Sequence, residues 1–568
     1  MKNNIILKSC AIAACGIFAL LFNGCNSPDK DAKTVKEFEK FIKSYEEKII
    51  PLLKKSSLAS WNANISGKEE DYKISADIDF QISKIFSNKE DYEKLKKFKE
   101  SKAIKDPLLC RQLILLSNAY CGSQIDTAKL KKIIDIQKGI EKKFNIFRAV
   151  TGKDSLTDNE VENILLTSSD SKKLETVWLA TKVSGKNVVA DVIKLVKLRN
   201  DAAKELGFNN YHEMSLKLSE QDPQEIEKLF DQLDSLTKDE FAKLKDEMDV
   251  YFAKRYNIKK ENLMPWHYQN RFFQEAPKIY AVDLDKYFKG KNLIKITEDY
   301  CKGLGMDISD IIKKSDLLEK KGKNQHAFCT DIDKKGDVRV LCNVIDNEYW
   351  MNTLMHEFGH AVYFKYIDKD LPFTLRDPAH TFTTEAIAEL FGRFSSNPRW
   401  LKDVIGVSDI EIAKIEENAN KNLRLQMLVF SRWSQVMYRF EKGMYENPDQ
   451  DLNKLWWALV EKYQMLKKPL NRNEPDWASK IHIATYPCYY HNYLLGELLA
   501  SQLYYYINEN VLKTGDIKNQ SFAGKKEVGV YFIEKVFKPG SKYFWNDMIE
   551  KATGEKLSAK YYAKQFVN

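Results

Sequence analysis

The chain has 568 residues, of which 43% are hydrophobic and 12% aromatic. These fractions are typical of ordered globular proteins and exclude an intrinsically disordered chain. Basic residues exceed acidic residues by only 9 in a chain that is 30% charged, and no basic run interleaved with aromatic residues indicates a nucleic-acid partner.

The first residues predict export from the cytoplasm. "MKNNIILK" is basic, and the mostly apolar "SCAIAACGIFALLF" that follows is too short for a membrane-spanning helix. A glycine then precedes Cys25, which resembles the signal of bacterial lipoproteins, whose cysteine becomes the lipidated N-terminus. We therefore predict a signal peptide over residues 1–24 and a lipid anchor at Cys25 that holds the protein on the periplasmic or surface face of a bacterial membrane, in the cell envelope. An ordinary secretory signal is the alternative.

Helical patterns predominate after this segment. We predict a polar tether over residues 25–36 and one domain over residues 37–568, because no Gly/Ser-rich linker separates parts of the chain. Apolar residues recur at helical spacing in residues 188–208 and the pattern stops near Gly207. Asp222 before Pro223 is a helix start signal. The sequence therefore predicts a mostly α-helical fold.

Residues 326–346, "HAFCTDIDKKGDVRVLCNVID", contain two extended runs around a Lys-Lys-Gly turn and predict a small β-hairpin. Cys329 and Cys342 flank this hairpin, so they are the best-placed pair for a disulfide in an exported protein. Because no cysteine follows the CxxC spacing, a zinc site built from thiolates is not indicated.

The motif "HEFGH" at residues 356–360 predicts a metal site. Residues four apart lie on one face of a helix, so His356 and His360 can offer two imidazoles to one zinc ion. Glu357 is rotated by about 100 degrees from His356 and faces what is bound beside the metal. A carboxylate there can deprotonate a water molecule while the metal polarises a carbonyl group.

A catalytic zinc site needs a third protein ligand. "TTEAIAELFGRF" places Glu385 and Glu389 one turn apart on a second helix. One of them can bind the metal while the other accepts the free ring N–H of a ligating histidine. The spacing alone does not assign these two roles.

The segment "HEFGHAVYFKYIDKDLPFTLRDPAHTFTTEAIAELF" resembles the peptidyl-dipeptidases of the angiotensin-converting enzyme family, which have HEMGH, KDLP and HEAIG in this order. The resemblance implies Glu385 as the third ligand of one zinc ion per chain and Glu389 as the group that orients a ligand. Thr384 stands where the family has histidine. It also implies a large helical bundle of two halves around a deep catalytic groove, with the small β element near the zinc site.

Other segments extend the resemblance. His326 and Ala327 stand where the family has a His-Ala segment whose backbone pairs with the substrate. In "DWASKIHIATYPCYYHNY", residues 476–493, Lys480 matches the lysine that binds the C-terminal carboxylate of the substrate. His482 matches a histidine that bonds the peptide near the scissile bond. Gln269 in "WHYQNRFF" matches a third carboxylate-binding residue.

The tyrosines of this stretch leave one role open. If Tyr489 is the carboxylate-binding tyrosine of the family, Asn492 occupies the position of the tyrosine that stabilises the transition state. Tyr490 and Tyr493 are the alternatives for that role, and the sequence does not choose between them.

These observations predict a zinc metallopeptidase that acts on oligopeptides and releases C-terminal dipeptides, with Glu357 as general base. A tyrosine or His482, together with the metal, stabilises the oxyanion. The alternative enzyme is an oligoendopeptidase of the thimet type, which shares HEFGH and a Tyr-Tyr-x-x-Tyr region and cuts peptides internally. A catalytically inactive peptide-binding lipoprotein is the alternative outside the enzymes.

Overall fold

The structure is a computed structural model that describes residues 28–515, 517 and 519–567. The predicted signal peptide and Cys25 lie outside the described residues. Residues 28–36, which lie within the predicted polar tether, form the first turns of a helix that begins at Pro28. Proline suits the first turn of a helix, and acidic residues such as Asp29 and Asp31 complement its positive end.

The first half of the described chain is helical except for one short hairpin. Its elements are α1 (Pro28–Ser66), α2 (Glu69–Phe86), α3 (Lys89–Ser101), α4 (Pro107–Gly122), α5 (Thr127–Ile146), β1 (Ala149–Thr151), β2 (Asp154–Leu156), α6 (Asp158–Thr167), α7 (Ser171–Glu205), α8 (Tyr211–Leu218), α9 (Pro223–Tyr256), α10 (Asp285–Phe288), α11 (Leu293–Gly303) and α12 (Ser309–Lys314).

The second half contains the other hairpin and further helices, several of them extended by short 3₁₀ or π turns. Its elements are β3 (Phe328–Asp331), β4 (Val338–Leu341), α13 (Glu348–Tyr366), α14 (Thr381–Gly392), α15 (Pro398–Trp400), α16 (Asp409–Glu446), α17 (Leu452–Leu459), α18 (Ile481–Thr485), α19 (His491–Tyr506), α20 (Lys526–Tyr531), α21 (Trp545–Thr553) and α22 (Lys560–Phe566).

The prediction of a mostly α-helical fold is confirmed. Strands in the described residues form two sheets of two strands each. Helix α7 ends at Glu205, and Gly207 follows with a φ of 87°, a backbone conformation that favours glycine. The Asp222 side chain accepts hydrogen bonds from the second and third residues of α9 and caps it. No helix in the described parts of the chain is long and apolar enough to cross a membrane.

The predicted hairpin is present, but the predicted disulfide is not. Strands β3 and β4 pair antiparallel, with Phe328 opposite Leu341 and Cys329 opposite Val340. Cys342 lies beyond Leu341, so this register does not place the two cysteines opposite each other. Both are free thiols.

Two glycines allow the helices around the predicted metal site to approach closely. A Cβ atom on Gly359 of α13 would lie 2.7 Å from the Cα of Ala388 on α14, and one on Gly496 of α19 would lie 3.1 Å from the Cβ of Glu385. Atoms cannot approach this closely in a packed interior without displacement. Helix α14 is therefore held between α13 and α19, which is the arrangement that brings the site residues together.

Candidate active site

Helices α13 and α14 bring the three predicted metal ligands together. Donor atoms of His356, His360 and Glu385 all lie within 4.8 Å of one another. The Nε2 atoms of the two histidines are each 3.7 Å from Oε2 of Glu385. Two imidazole nitrogens and one carboxylate oxygen form a donor set that catalytic zinc uses, with a fourth position left for substrate or water. The residues present therefore fit a zinc ion.

The imidazoles are held in the form that can bind a metal. Burial lowers the pKa of His356, although the negative charge of Glu389 raises it in part. Burial also lowers the pKa of His360 well below its usual value. A neutral ring keeps one nitrogen lone pair for a metal.

Thr384 orients His360, a role that the sequence analysis did not assign. Its hydroxyl oxygen lies 2.8 Å from Nδ1 of His360. With Nε2 turned toward the metal position, Nδ1 carries the proton and donates to this hydroxyl, which fixes the tautomer and the ring plane. The sequence signal for this role is the position of Thr384 directly before Glu385, where the family that the sequence resembles has histidine. The charge of Glu389 raises the pKa of His356 in part, and its orienting role stays a prediction.

Glu357 lies between the metal ligands and strand β3. Burial raises its pKa to about 8, the charge of Glu385 adds to this, and the backbone N–H of Cys329 lowers it by donating a hydrogen bond. A cation bound to Glu385 would remove the rise in the pKa of Glu357 that the charge of Glu385 causes. The carboxylate is therefore buried close to the metal position, where burial favours its protonated form.

The predicted His-Ala segment leads into the same strand. Ala327 directly precedes β3 and is half-buried, whereas His326 is exposed and its backbone N–H donates to Oδ1 of Asn324 at 2.9 Å. Within the described residues β3 pairs with β4 and with no other strand. The hydrogen bond from the Cys329 N–H to Glu357 shows that this strand runs beside the predicted general base.

The tyrosines divide into two groups. Tyr489 and Tyr493 are near the metal ligands: their ring centres are 5.3 Å apart, and the charge of Glu385 contributes to the raised pKa of both, after burial. The hydroxyl groups of Tyr489 and Thr381 are 3.4 Å apart. Within the described residues, Nζ of Lys480 contacts the rings of Phe272, Trp433 and Tyr490, but not that of Tyr489.

Tyr490 belongs to the second group, with Lys480 and His482. Its ring centre is 5.5 Å from Nζ of Lys480 and 5.2 Å from the ring centre of His482. Its hydroxyl oxygen accepts a hydrogen bond of 2.8 Å from Nε1 of Trp433, which leaves its own proton free to be donated. The structure thus places Tyr490, rather than Tyr489, beside the lysine.

Lys480 is a buried cation without an acidic partner. It is only 8% exposed, and its Nζ donates a hydrogen bond of 2.5 Å to Oε1 of Gln274. Among the described residues no carboxylate lies within ion-pair distance of it. Burial, and then the charge of Arg271, lower its pKa to about 8, although Glu275 and Glu162 act in the opposite direction. A buried ammonium group is costly unless it is paired.

Gln269 does not contact Lys480. It has a positive φ of 62°, and its amide braces the loop by donating to the carbonyl of Leu166 and accepting from the N–H of Lys278, both at 2.9 Å. Gln274, five residues later, contacts Lys480 instead. An amide side chain therefore does contact Lys480, but it belongs to Gln274 and not to Gln269.

His482 and Asn492 differ in their surroundings. Burial and the charge of Lys480 lower the pKa of His482 to about 4, and its Nδ1 is buried with no hydrogen-bond partner in the described structure. Asn492 is buried, and its Oδ1 accepts a hydrogen bond of 2.7 Å from Gln221. Asn492, which would stand at the transition-state position only if Tyr489 bound the carboxylate, thus has a structural role, whereas His482 has an unused polar atom.

Comparison with known proteins agrees with this geometry. A family model described as angiotensin-converting enzyme, peptidase family M2, matches residues 32–566. Angiotensin-converting enzyme of Sus scrofa is 23% identical over an alignment 570 residues long, which covers 91% of this chain and 42% of the relative. The enzymes of Mesocricetus auratus and Rattus norvegicus are 23% and 24% identical over 70% of this chain and 32% of theirs. The chain thus spans less than half the length of these relatives.

Proposed function

Because the chain belongs to the angiotensin-converting enzyme family of metallopeptidases, we propose that it is a zinc-dependent peptidase that releases dipeptides from the C-termini of oligopeptides. The zinc ion is held by His356, His360 and Glu385. The substrate is an oligopeptide with a free C-terminal carboxylate, and the protein is attached to a bacterial membrane through a lipid on Cys25.

One observation carries the dipeptidase assignment: a buried ammonium group without an acidic partner lies close to the metal site. Tyr490 contacts both Tyr493 and Lys480, at 5.4 Å and 5.5 Å, so Nζ of Lys480 is at most about 11 Å from the Tyr493 ring centre. Two extended residues span about 7 Å. A peptide whose terminal carboxylate is held by Lys480 would therefore present a bond near its C-terminus to the metal site, and we propose that this is the penultimate peptide bond.

The carboxylate subsite contains two donors and one amide that positions the lysine. Lys480 supplies the charge, and the free hydroxyl proton of Tyr490 can donate to the same carboxylate. Gln274 holds the lysine in place, because its Oε1 accepts from Nζ while its Nε2 donates to Glu275 at 3.3 Å. The carboxylate would restore the partner that the buried ammonium lacks.

The chemical step uses the residues around the metal position. When bound, zinc supplies a Lewis acid that polarises the scissile carbonyl and lowers the pKa of water. Glu357 takes the proton from the attacking water and later gives it to the leaving amine. Tyr493, beside Glu385, donates its hydroxyl proton to the developing oxyanion. His482 is neutral and donates an N–H to the peptide near the scissile bond. Strand β3 aligns the peptide backbone.

Metal analysis and one amide variant test this function. We expect about one zinc ion per chain in the wild type, loss of tight zinc binding in His356→Ala and His360→Ala, and full zinc content with almost no turnover in Glu357→Gln, because an amide cannot take a proton from water. Stoichiometric zinc in both histidine variants would reject the ligand assignment. Near-normal turnover by Glu357→Gln would reject the general base.

A further inference from the structure

A pocket of about 580 Å³ lies between helices α1, α2, α3 and α4. It contains none of the residues assigned above to the metal site or to peptide binding. Its wall on α1 includes Glu37, Phe41, Ser44 and Lys48, which follow one another at intervals of three or four residues and therefore share one face of that helix. The opposite wall comes mainly from α3.

The floor of this pocket is aromatic. The ring centres of Phe41 and Phe98 are 6.1 Å apart. The ring centre of Tyr120 is 6.4 Å from that of Phe41 and 6.5 Å from that of Tyr45. Both tyrosines are buried, with 1% of Tyr120 and 7% of Tyr45 exposed. A continuous surface of aromatic rings suits an apolar chain.

Two hydroxyl groups at this floor are unused. Neither Tyr45 nor Tyr120 has a side-chain hydrogen-bond partner among the described residues, although buried tyrosines usually have one. Burial raises the pKa of both, and the charge of Asp91 adds to the rise at Tyr120, so both hydroxyl groups stay protonated and can donate. They would be satisfied by an acceptor such as an ester carbonyl oxygen.

The rim of the pocket has an excess of positive charge. Its two acidic groups already have partners, since Asp91 is 2.9 Å from Lys94 and Glu37 is 4.0 Å from Lys33. Three further lysines of the rim are exposed and have no carboxylate within ion-pair distance in the described part of the chain: Lys40, Lys48 and Lys97. The pocket therefore combines an apolar floor with a rim that attracts an anion.

The pocket also lies close to the proposed lipid anchor. Cys25 precedes Pro28 by three residues, which span at most about 11 Å. From Pro28 to Thr34, the first lining residue, helix α1 rises by about 9 Å. The pocket therefore begins within about 20 Å of the anchor, where phospholipids of the same membrane are within reach.

We propose that this pocket binds an anionic phospholipid of the membrane to which the protein is anchored. An acyl chain lies on the aromatic floor, its ester carbonyl oxygen accepts from Tyr45 or Tyr120, and the phosphate faces the three unpaired lysines. The choice of a membrane lipid rests on the proposed anchor at Cys25. One bound acyl chain gives only weak, reversible attachment, so this site orients the anchored protein on the membrane and does not replace the anchor.

Calorimetric titration of the Cys25→Ser protein tests the proposal, because this variant has no lipid of its own to compete for the pocket. The probe is lysophosphatidylglycerol with a lauroyl chain, below its critical micelle concentration. We expect saturable binding of about one molecule per chain, several times tighter than that of the neutral lysophosphatidylcholine with the same chain. Glycerol 3-phosphate, which has the phosphate without the acyl chain, should bind far more weakly.

Variants in the same background separate the pocket from general surface charge. Lys48→Gln and Lys97→Gln should each weaken binding by up to about fivefold, the range of an exposed ion pair, whereas Lys43→Gln, at an exposed position of α1 outside the pocket, should not. Tyr120→Phe should weaken it about fivefold through loss of one hydrogen bond. Ser44→Trp fills the pocket from its exposed edge and should abolish binding without lowering the melting temperature.

Equal affinity for the two lipids, equally tight binding of glycerol 3-phosphate, or undiminished binding by Ser44→Trp would each overturn the inference. Turnover of oligopeptides, measured on the same variants, should stay at the level of the parent protein. A failure of the proposed peptidase function would appear instead as absent turnover with lipid binding intact, so the two failures are distinguishable.

Discussion

Replacing Lys480 with alanine should impair only substrates that have a free C-terminal carboxylate. The lysine is 8% exposed and has no acidic partner in the described structure, so a substrate carboxylate would meet a largely desolvated ammonium group. A hydrogen bond to a charged group contributes about 1.5 to 3 kcal/mol. Since about 1.4 kcal/mol corresponds to a factor of ten, kcat/KM should fall by about tenfold to a hundredfold.

The assay compares peptides with free and amidated C-termini, with Lys462→Ala as an exposed-lysine control. Lys480→Ala should slow the free peptides and leave the amidated ones almost unchanged. The pH dependence gives a second readout. Because the pKa of Lys480 is lowered to about 8, the ammonium form prevails below this pH and is lost above it, so KM for free peptides should rise as pH increases through 8. An equal loss on both substrates, or no loss on either, would refute the carboxylate role of Lys480.

Four further variants test the close contact of two helices, the assignment of the zinc ligands and the lipid anchor. Gly359→Ala should destabilise the protein by about 1 to 3 kcal/mol and weaken zinc binding, because the added Cβ would lie 2.7 Å from the Ala388 Cα; an unchanged melting temperature contradicts this. Glu385→Gln should raise the zinc dissociation constant more than Glu389→Gln, since a ligand matters more than its supporting group, and the reverse order would exchange their roles. Cys25→Ser should free the protein from membranes without changing its activity, and persistent membrane fractionation in high salt would indicate another anchor.

The metal site followed from the sequence because helical periodicity fixes the relative positions of its residues. His356 and His360 are one turn apart on any helix, and the resemblance to a known family supplied Glu385. The spacing alone had not decided whether Glu385 or Glu389 is the third ligand. The hydrogen bond between Nδ1 of His360 and the hydroxyl group of Thr384 depends on the distance between α13 and α14. Gly359 sets this distance, and no local sequence pattern reveals it.

The carboxylate subsite was harder to predict because it is built from irregular backbone. Gln269 and Phe273 both have positive φ, at 62° and 51°, so the direction of each side chain in this loop depends on its own backbone angles. Gln274 therefore reaches Lys480 where the sequence suggested Gln269. Likewise Cys488 has a φ of 57°, and this turn decides which of the tyrosines that follow it faces the lysine.

The prediction of a disulfide between Cys329 and Cys342 was wrong for a comparable reason. The two cysteines flank a hairpin in the sequence, but only the register of the strands decides whether they are opposite. With Cys329 opposite Val340, Cys342 falls beyond the end of the paired strands. A shift of register would have changed whether the two cysteines are opposite each other, and the turn residues alone did not determine the register.

Mass spectrometry of the products from a mixed pool of free and amidated oligopeptides tests the central claim most directly. The zinc-loaded protein should release dipeptides from free C-termini and leave fragments two residues shorter than their parents, and Glu357→Gln should release none. Internal fragments of varied length, formed equally from free and amidated peptides, would contradict dipeptide release and identify an oligoendopeptidase. An uncleaved pool would contradict peptidase activity and leave a peptide-binding lipoprotein.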